Sequence, residues 1–352
     1  MSKPPVLAQI IGATIIVACA EPNPQLPPPE EILLVANTTG GSLSAVPVNA
    51  TGSSTIIPLT GMVVSGVGAF GPIAVAPLPN DDAADIVTLR GTQVVRTVGL
   101  PTGSGALGVA VINDTLAYVA NPNLNSITQI NIVTGDTASL AVGQYPQGLI
   151  ATRGRLFVVN GNVTACGQPG GLCSLGPSWL NVVDPATNTL ADGIDSIPLF
   201  GPGNARYAAV GRDGLLYVMN RGIATDSRLS IVDPVGRQEL ASFGGFGTDP
   251  GPLASDGGER ILVSSRSEGL MEFNTRTRTV DRGAGSGVDV PENSGVAVDG
   301  SFRTYAIQSG DCAGQLGQSV VLDSTLATIR SFGLGDCAGQ ALVTLFPSEA
   351  QP

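Results

Sequence analysis

Histidine does not occur in this chain. Its absence removes imidazole-based triads, the commonest metal ligand and the usual near-neutral general base. Lysine is almost absent as well, with Lys3 standing alone. Seventeen basic residues face 28 acidic ones, a net charge of −11, and no basic stripe interrupts that excess. Such a chain repels phosphate backbones, so no nucleic acid partner is expected. Charged residues reach only 13% and aromatic residues only 4%. What the chain has in quantity is glycine and proline, 47 and 26 in 352 residues, beside 43% apolar content. This balance suits many short strands joined by tight turns better than long helices. It is too apolar for a solvated coil. The length admits one large all-β domain or two ordinary ones.

The first 20 residues, MSKPPVLAQIIGATIIVACA, set one positive charge ahead of an apolar run over residues 6–17. That run is short for a bilayer span and has the dimensions of a secretory h-region. It ends in IVAC, which resembles the bacterial lipobox, with Ile16 where that pattern prefers leucine. The resemblance implies a lipoprotein signal peptide over residues 1–18 and a lipid on Cys19. The cell envelope would then be the address, at the outer membrane or the periplasmic face, with the lipid as the only membrane attachment. A competing reading takes ACA as an ordinary cleavage site that releases a soluble protein from Glu21. Residues 19–30 follow as a proline-rich spacer, for which extended polyproline II is expected. The folded domain is placed over 31–347, with a short tail at 348–352.

From Ile32 onward one phrase returns, an apolar run closing on a small polar residue. It reads ILLVAN at Asn37, LAYVAN at Asn121, RLFVVN at Asn160 and LLYVMN at Asn220. Weaker copies are RILVSS at Ser265 and RTYAIQ at Gln308, and ADIVTL ending at Leu89 fills the one wide gap. Self-similarity at roughly 45 residues points to a propeller or solenoid array. A short apolar stretch and a tight turn precede each phrase. In YAAVGRDGLLYVMN, Asp213 and Gly214 supply the turn, and Gly257 and Gly300 are placed in equivalent ones. Third strands such as LSIVDPVGRQ and INIVTGDT come next, then a fourth.

These units, YVAN…ITQINIVTGDT and YVMN…LSIVDPVGR, resemble the YVTN-type β-propeller repeat over about residues 32–347. The resemblance implies an all-β propeller of four-stranded blades, innermost strand first, around a central channel. We count seven blades, and six remain an alternative because the second, at 72–105, is short for four strands. The first blade starts at its second strand, and QALVTLFP at 340–347 is an orphan inner strand. Pairing the two closes the ring and leaves no long edge.

Beyond Cys19 the chain has four cysteines, which in an exported protein imply two disulfides. Three pairings are possible. In the propeller that the resemblance implies, the loop from second to third strand and the loop into the next blade open on one face. Cys312 and Cys337, carried by the twin GDCAGQ segments, can therefore meet, leaving Cys166 with Cys173. A four-cysteine zinc site needs closer pairs than these.

The longer loops gather on that same face, where binding residues usually lie. Trp179 ends the largest insertion, and core packing beneath the loop outweighs exposed recognition for it. Arg206 and Arg221 lie near this face and could grip a carboxylate or sulfate group, but solvated rim charges are the reading adopted for them. Tyr145 precedes an inner strand. Asn121, Asn160 and Asn220, with Asn37, could form a ring of amides. Neutral amides alone make a weak calcium site, and turn initiation is the reading adopted. Asp184 and Asp233 in VDP are turn initiators without chemistry. None of the seven expected inner-strand starts carries an acid, so calcium-dependent propeller catalysis has no recognisable ligands. The expected function is a non-catalytic binding or scaffolding module for an envelope or extracellular protein or glycan, as a monomeric propeller without cofactor. The alternative is an exported hydrolase or oxidoreductase with a cation such as calcium in the channel.

Overall fold

A strand covered on both faces must be apolar at every position, and residues 32–36, ILLVA, meet that demand. In the computed structural model, which describes residues 29–49, 54–167, 171–222 and 227–346, this strand sits between two neighbouring sheets. Leu33 and Val35 pack on Tyr305, Ile307 and Val321 on one side. Ile32, Leu34 and Ala36 pack on Ala74, Ala76 and Leu78 on the other.

The same alternation repeats around a ring of seven antiparallel blades. Blade one takes its inner strand, Ala338–Phe346, from the end of the chain and continues with Glu30–Asn37, Ser42–Pro47 and Thr55–Pro58. Blade two runs from Gly68–Phe70 to Gln93–Gly99, blade three from Val109–Val111 to Thr137–Ala141. Blade four opens with Pro146–Thr152, Arg155–Asn160 and Trp179–Asp184. Its outer position is shared by Thr189–Leu190 and Ser196–Pro198. Blade five spans Ala205–Val210 to Gln238–Phe243, blade six Pro250–Ser255 to Thr279–Arg282, and blade seven Asn293–Val298 to Thr328–Asp336. Seven apolar clusters fill the seven spaces between blades. The core is thus a ring of interfaces, not one central mass. No helix among the described residues is long and apolar enough to cross a membrane.

Blade two differs from the reading of its sequence. ADIVTL is not its second strand; Ala83–Thr88 is the third, and the second is Ile73–Leu78. Its inner strand is Gly68–Phe70, only three residues long. Such a stub carries no apolar phrase, which is why the assignment slipped by one strand. Gly300 differs as well. In the blade-seven hairpin the left-handed residue is Phe302, at φ 62°. Asp299 holds that turn, accepting from the amides of Ser301 and Arg303 and from Arg303 Nε.

Both disulfides form. Cys166 pairs with Cys173 across a small hairpin, Val163–Ala165 with Leu172–Ser174, inside the blade-four insertion. Cys312 and Cys337 join two loops of blade seven with Cα atoms 4.4 Å apart. Two disulfides are the cysteine usage of an oxidising compartment. The expected signal peptide, Cys19, the expected spacer up to residue 28 and residues 347–352, which include the expected tail, lie outside the described residues.

Candidate functional site: an arginine-lined channel mouth

Inner strands of a propeller line its channel, and here most of them enter it through a β-bulge. Register shifts occur at Pro146/Gly148, Ala205/Tyr207, Pro250/Leu253 and Asn293/Gly295, and opposite Ala36 at Gly339 and Gln340. A bulge leaves a residue unpaired and re-aims its side chain. Arg206, Ser294 and Gln340 occupy such positions and all border the channel mouth. Glycines permit the crowding. A Cβ on Gly148 would lie 2.0 Å from the carbonyl oxygen of Arg206, and one on Gly295 would lie 2.3 Å from that of Gly339.

The mouth encloses about 320 Å³ and continues into a neck of about 70 Å³ bordered by Ser65, Gln147, Arg206 and Gln340. Three guanidinium groups border the mouth, those of Arg206, Arg221 and Arg266. Asp249, just before the blade-six inner strand, is the only carboxylate among the described residues of that lining. Arg221 pairs with Asp249, whose side chain is 63% exposed and therefore shared with water. Burial, joined by the like charges of Arg206 and Arg266, holds the Arg221 pKa below the ordinary arginine range. Its Nε is buried without a hydrogen-bond partner. Arg206 lies over the Tyr207 ring, 5.0 Å from its centroid. Neither Arg206 nor Arg266 has a carboxylate partner among the described residues. In a chain of net charge −11, this is a local inversion of sign.

Of the residues singled out in the sequence, the structure brings Arg206 and Arg221 together at the mouth. Asn121, Asn160 and Asn220 are fully buried and lie inside the blades. Asn121 Nδ2 donates to Ser126 Oγ and Thr128 Oγ1, and Asn37 Nδ2 to Ser42 Oγ and Ser44 Oγ. Asn160 Nδ2 reaches Asn181 Oδ1 at 2.9 Å. These amides tie the second strand to the third instead of initiating turns. Only Asn220 bonds two residues on, to the amide of Gly222. Trp179 is half-buried against the loop before blade four, where a Cβ on Gly143 would meet its ring at 2.5 Å. Tyr145 is left-handed at φ 55° and lies outside the mouth lining. Asp184 and Asp233 cap their turns, as read from the sequence.

Arg266, Asp249 and Asn293 were missed, although the repeat held a signal. Thr38, Arg221 and Arg266 each directly follow the recurring phrase, and all three reach the mouth. Aligning the position after the phrase, not the phrase itself, finds two of the three arginines. Among the described residues no three of Cys, Asp and Glu converge in a way that could hold a metal ion.

No family model matches the chain, and no curated protein matches it. Among solved structures it is similar to hydrazine synthase of Kuenenia stuttgartiensis, at 14% identity and a TM-score of 0.56, over 74% of this chain and 76% of that one. At that identity the likeness is one of fold, a β-propeller.

Proposed function

We propose that this protein is a cell-envelope lipoprotein of the YVTN-repeat type, held by a lipid on Cys19, whose propeller is a non-catalytic binding module. Its ligand is an anionic group on an envelope or extracellular partner, taken at the channel mouth. One observation carries the reading: Arg206, Arg221 and Arg266 converge on one concavity whose described lining holds a single, exposed carboxylate. Guanidinium groups present planar, fixed donors that suit carboxylate or sulfate oxygens. Partial burial strengthens each contact relative to open water. A cation in the channel, as the enzymatic alternative requires, would be opposed by the same three charges. The neck beneath is lined by Arg206, Tyr207, the amides of Gln147 and Gln340, the Ser65 hydroxyl and apolar side chains, and among the described residues it holds no carboxylate to partner a proton transfer.

Calorimetric titration of the folded protein with citrate and with sulfate tests the reading. Each charge-assisted hydrogen bond is worth about 1.5–3 kcal/mol. The double variant Arg206→Ala, Arg266→Ala loses at least two such bonds, about 3–6 kcal/mol, and should therefore bind at least about a hundredfold more weakly. Equal affinity in variant and parent, or no heat with either anion, would overturn it. The anchor is tested separately: Cys19→Ser should abolish acyl labelling in the producing cell, and retained labelling would remove the lipoprotein from the proposal.

A further inference from the structure

Beyond the three guanidiniums, the mouth contains a feature that a simple anion would not use. Asn293 is fully buried and borders it. Its Nδ2 donates to the carbonyl of Gly269 at 3.0 Å. A carbonyl accepts only donors, so this bond fixes which end of the amide is nitrogen. The remaining atom, Oδ1, is a buried acceptor with no partner. An unpaired acceptor in a site for sulfate or a bare carboxylate is a liability, because it repels the ligand's oxygens and costs desolvation. It becomes useful if the ligand carries an N–H close to its anionic group. Arg221 Nε adds an unpaired buried donor at the same mouth.

Arg266 also walls a second concavity, a cleft of about 600 Å³ on blade seven. Arg266 borders both, and Asn293 of the mouth follows directly on Pro291 and Glu292 of the cleft. In the cleft, Gln315 and Gln318 are exposed, and their side-chain amides make no hydrogen bond among the described residues. An amide offers one acceptor and two donors, the complement of a peptide unit. Leu316 stands between them in sequence, 62% exposed. Glu292 and Asp311 line the cleft as well. They would repel a second negative charge, which argues against a sulfated or otherwise polyanionic chain. No aromatic side chain lines the cleft to stack on a sugar ring. Both volumes fall within the roughly 300–1,000 Å³ typical of sites for small extended ligands.

We infer that the anionic group is the terminal carboxylate of an extended peptide segment, with its last amide N–H directed to Asn293 and its preceding residues lying in the blade-seven cleft. The inference rests on the anion-binding reading above. It assigns new roles to Asn293, Gln315, Leu316 and Gln318, as the features that distinguish a chain end from a free anion.

A pool of hexapeptides of mixed sequence with free C-terminal carboxylates, passed over the immobilised folded protein, provides the test. The same pool amidated at the C-terminus, and a sulfated oligosaccharide, are run beside it, and citrate titration reports on the anion site itself. Retention of the acid pool should exceed that of the amidated pool at least tenfold. Leu316→Asp should lower that retention at least fivefold without changing the unfolding midpoint. Equal retention of acid and amide pools, or retention of the saccharide but not the peptides, would overturn the inference while citrate binding leaves the anion site standing. Failure of citrate along with every other probe would overturn both.

Discussion

Leu34 lies directly opposite Leu342 in an antiparallel pair that joins the first described strand to the last. Ring closure therefore depends on main-chain hydrogen bonds between the two ends of the domain. Leu34 is fully buried in the cluster shared with blade two. Leu34→Ala should cost about 2–5 kcal/mol, the range for a buried leucine that leaves a cavity. Ile56, 47% exposed on the outer strand of the same blade, should tolerate alanine with a loss of about 1 kcal/mol or less. Urea unfolding of both variants checks the contrast, and comparable losses would mean that closure does not hold the ring.

The second closure device is covalent. Cys337 directly precedes the closing strand, and its bond to Cys312 spans 25 residues. By the chain-entropy account, a loop of that size is worth about 3 kcal/mol, and the seven-residue Cys166–Cys173 loop less. Replacing Cys312 and Cys337 together by serine should lower the unfolding free energy by about that amount. Replacing Cys166 and Cys173 should do less, because their hairpin stands outside the blades. Equal losses from both pairs would show that the blade-seven bridge has no special part in closure.

Much of this architecture was legible because strands buried on both faces write continuous apolar runs, as ILLVA does before Asn37. The orphan inner strand at the end of the chain and the cysteine pairing followed from the same repeat. Blade two was not legible, since Gly68–Phe70 is too short to carry any pattern. The mouth was half legible: Arg206 and Arg221 were visible as charges, but the bulges that turn residues such as Arg206 and Ser294 inward interrupt strand periodicity without leaving a mark in it. Asn37, Asn121 and Asn160 were conspicuous and misassigned, because the partners of the first two lie five and seven residues ahead and that of the third 21 ahead, on the next strand and beyond the reach of a local turn rule.

That correction has a measurable consequence for Asn121. The amide is fully buried, and its Nδ2 donates to Ser126 and Thr128, while Oδ1 has no partner among the described residues. Removing it leaves two hydroxyls without their donor and opens a small void. Asn121→Ala should destabilise the fold by about 1–3 kcal/mol while leaving citrate affinity as it is in the parent. A variant of unchanged stability but weakened anion binding would return the asparagines to the binding site.

The carboxylates set the pH dependence, and two opposing groups decide its shape. Asp82, Asp184, Asp311 and Asp323 all have pKa values lowered from 3.8. The leading causes are the backbone amides of Gly103, Ala186 and Ala313 for the first three, and the Thr325 hydroxyl for Asp323. A lowered folded pKa gives stability that is present above the ordinary aspartate range and lost as pH falls through the folded value. Glu272 behaves oppositely: burial raises its pKa above 4.5 despite Arg260 and Arg282. Its protonation therefore favours the fold as pH drops from neutrality, and acidification also relieves the self-repulsion of a net charge of −11. Urea midpoints should rise from about pH 8 to about pH 5 and fall below about pH 3.5. Glu272→Gln should flatten the rise, and Asp311→Asn with Asp323→Asn should flatten the fall. A midpoint highest at pH 8 would mean that neither burial of Glu272 nor overall repulsion governs stability above the aspartate range.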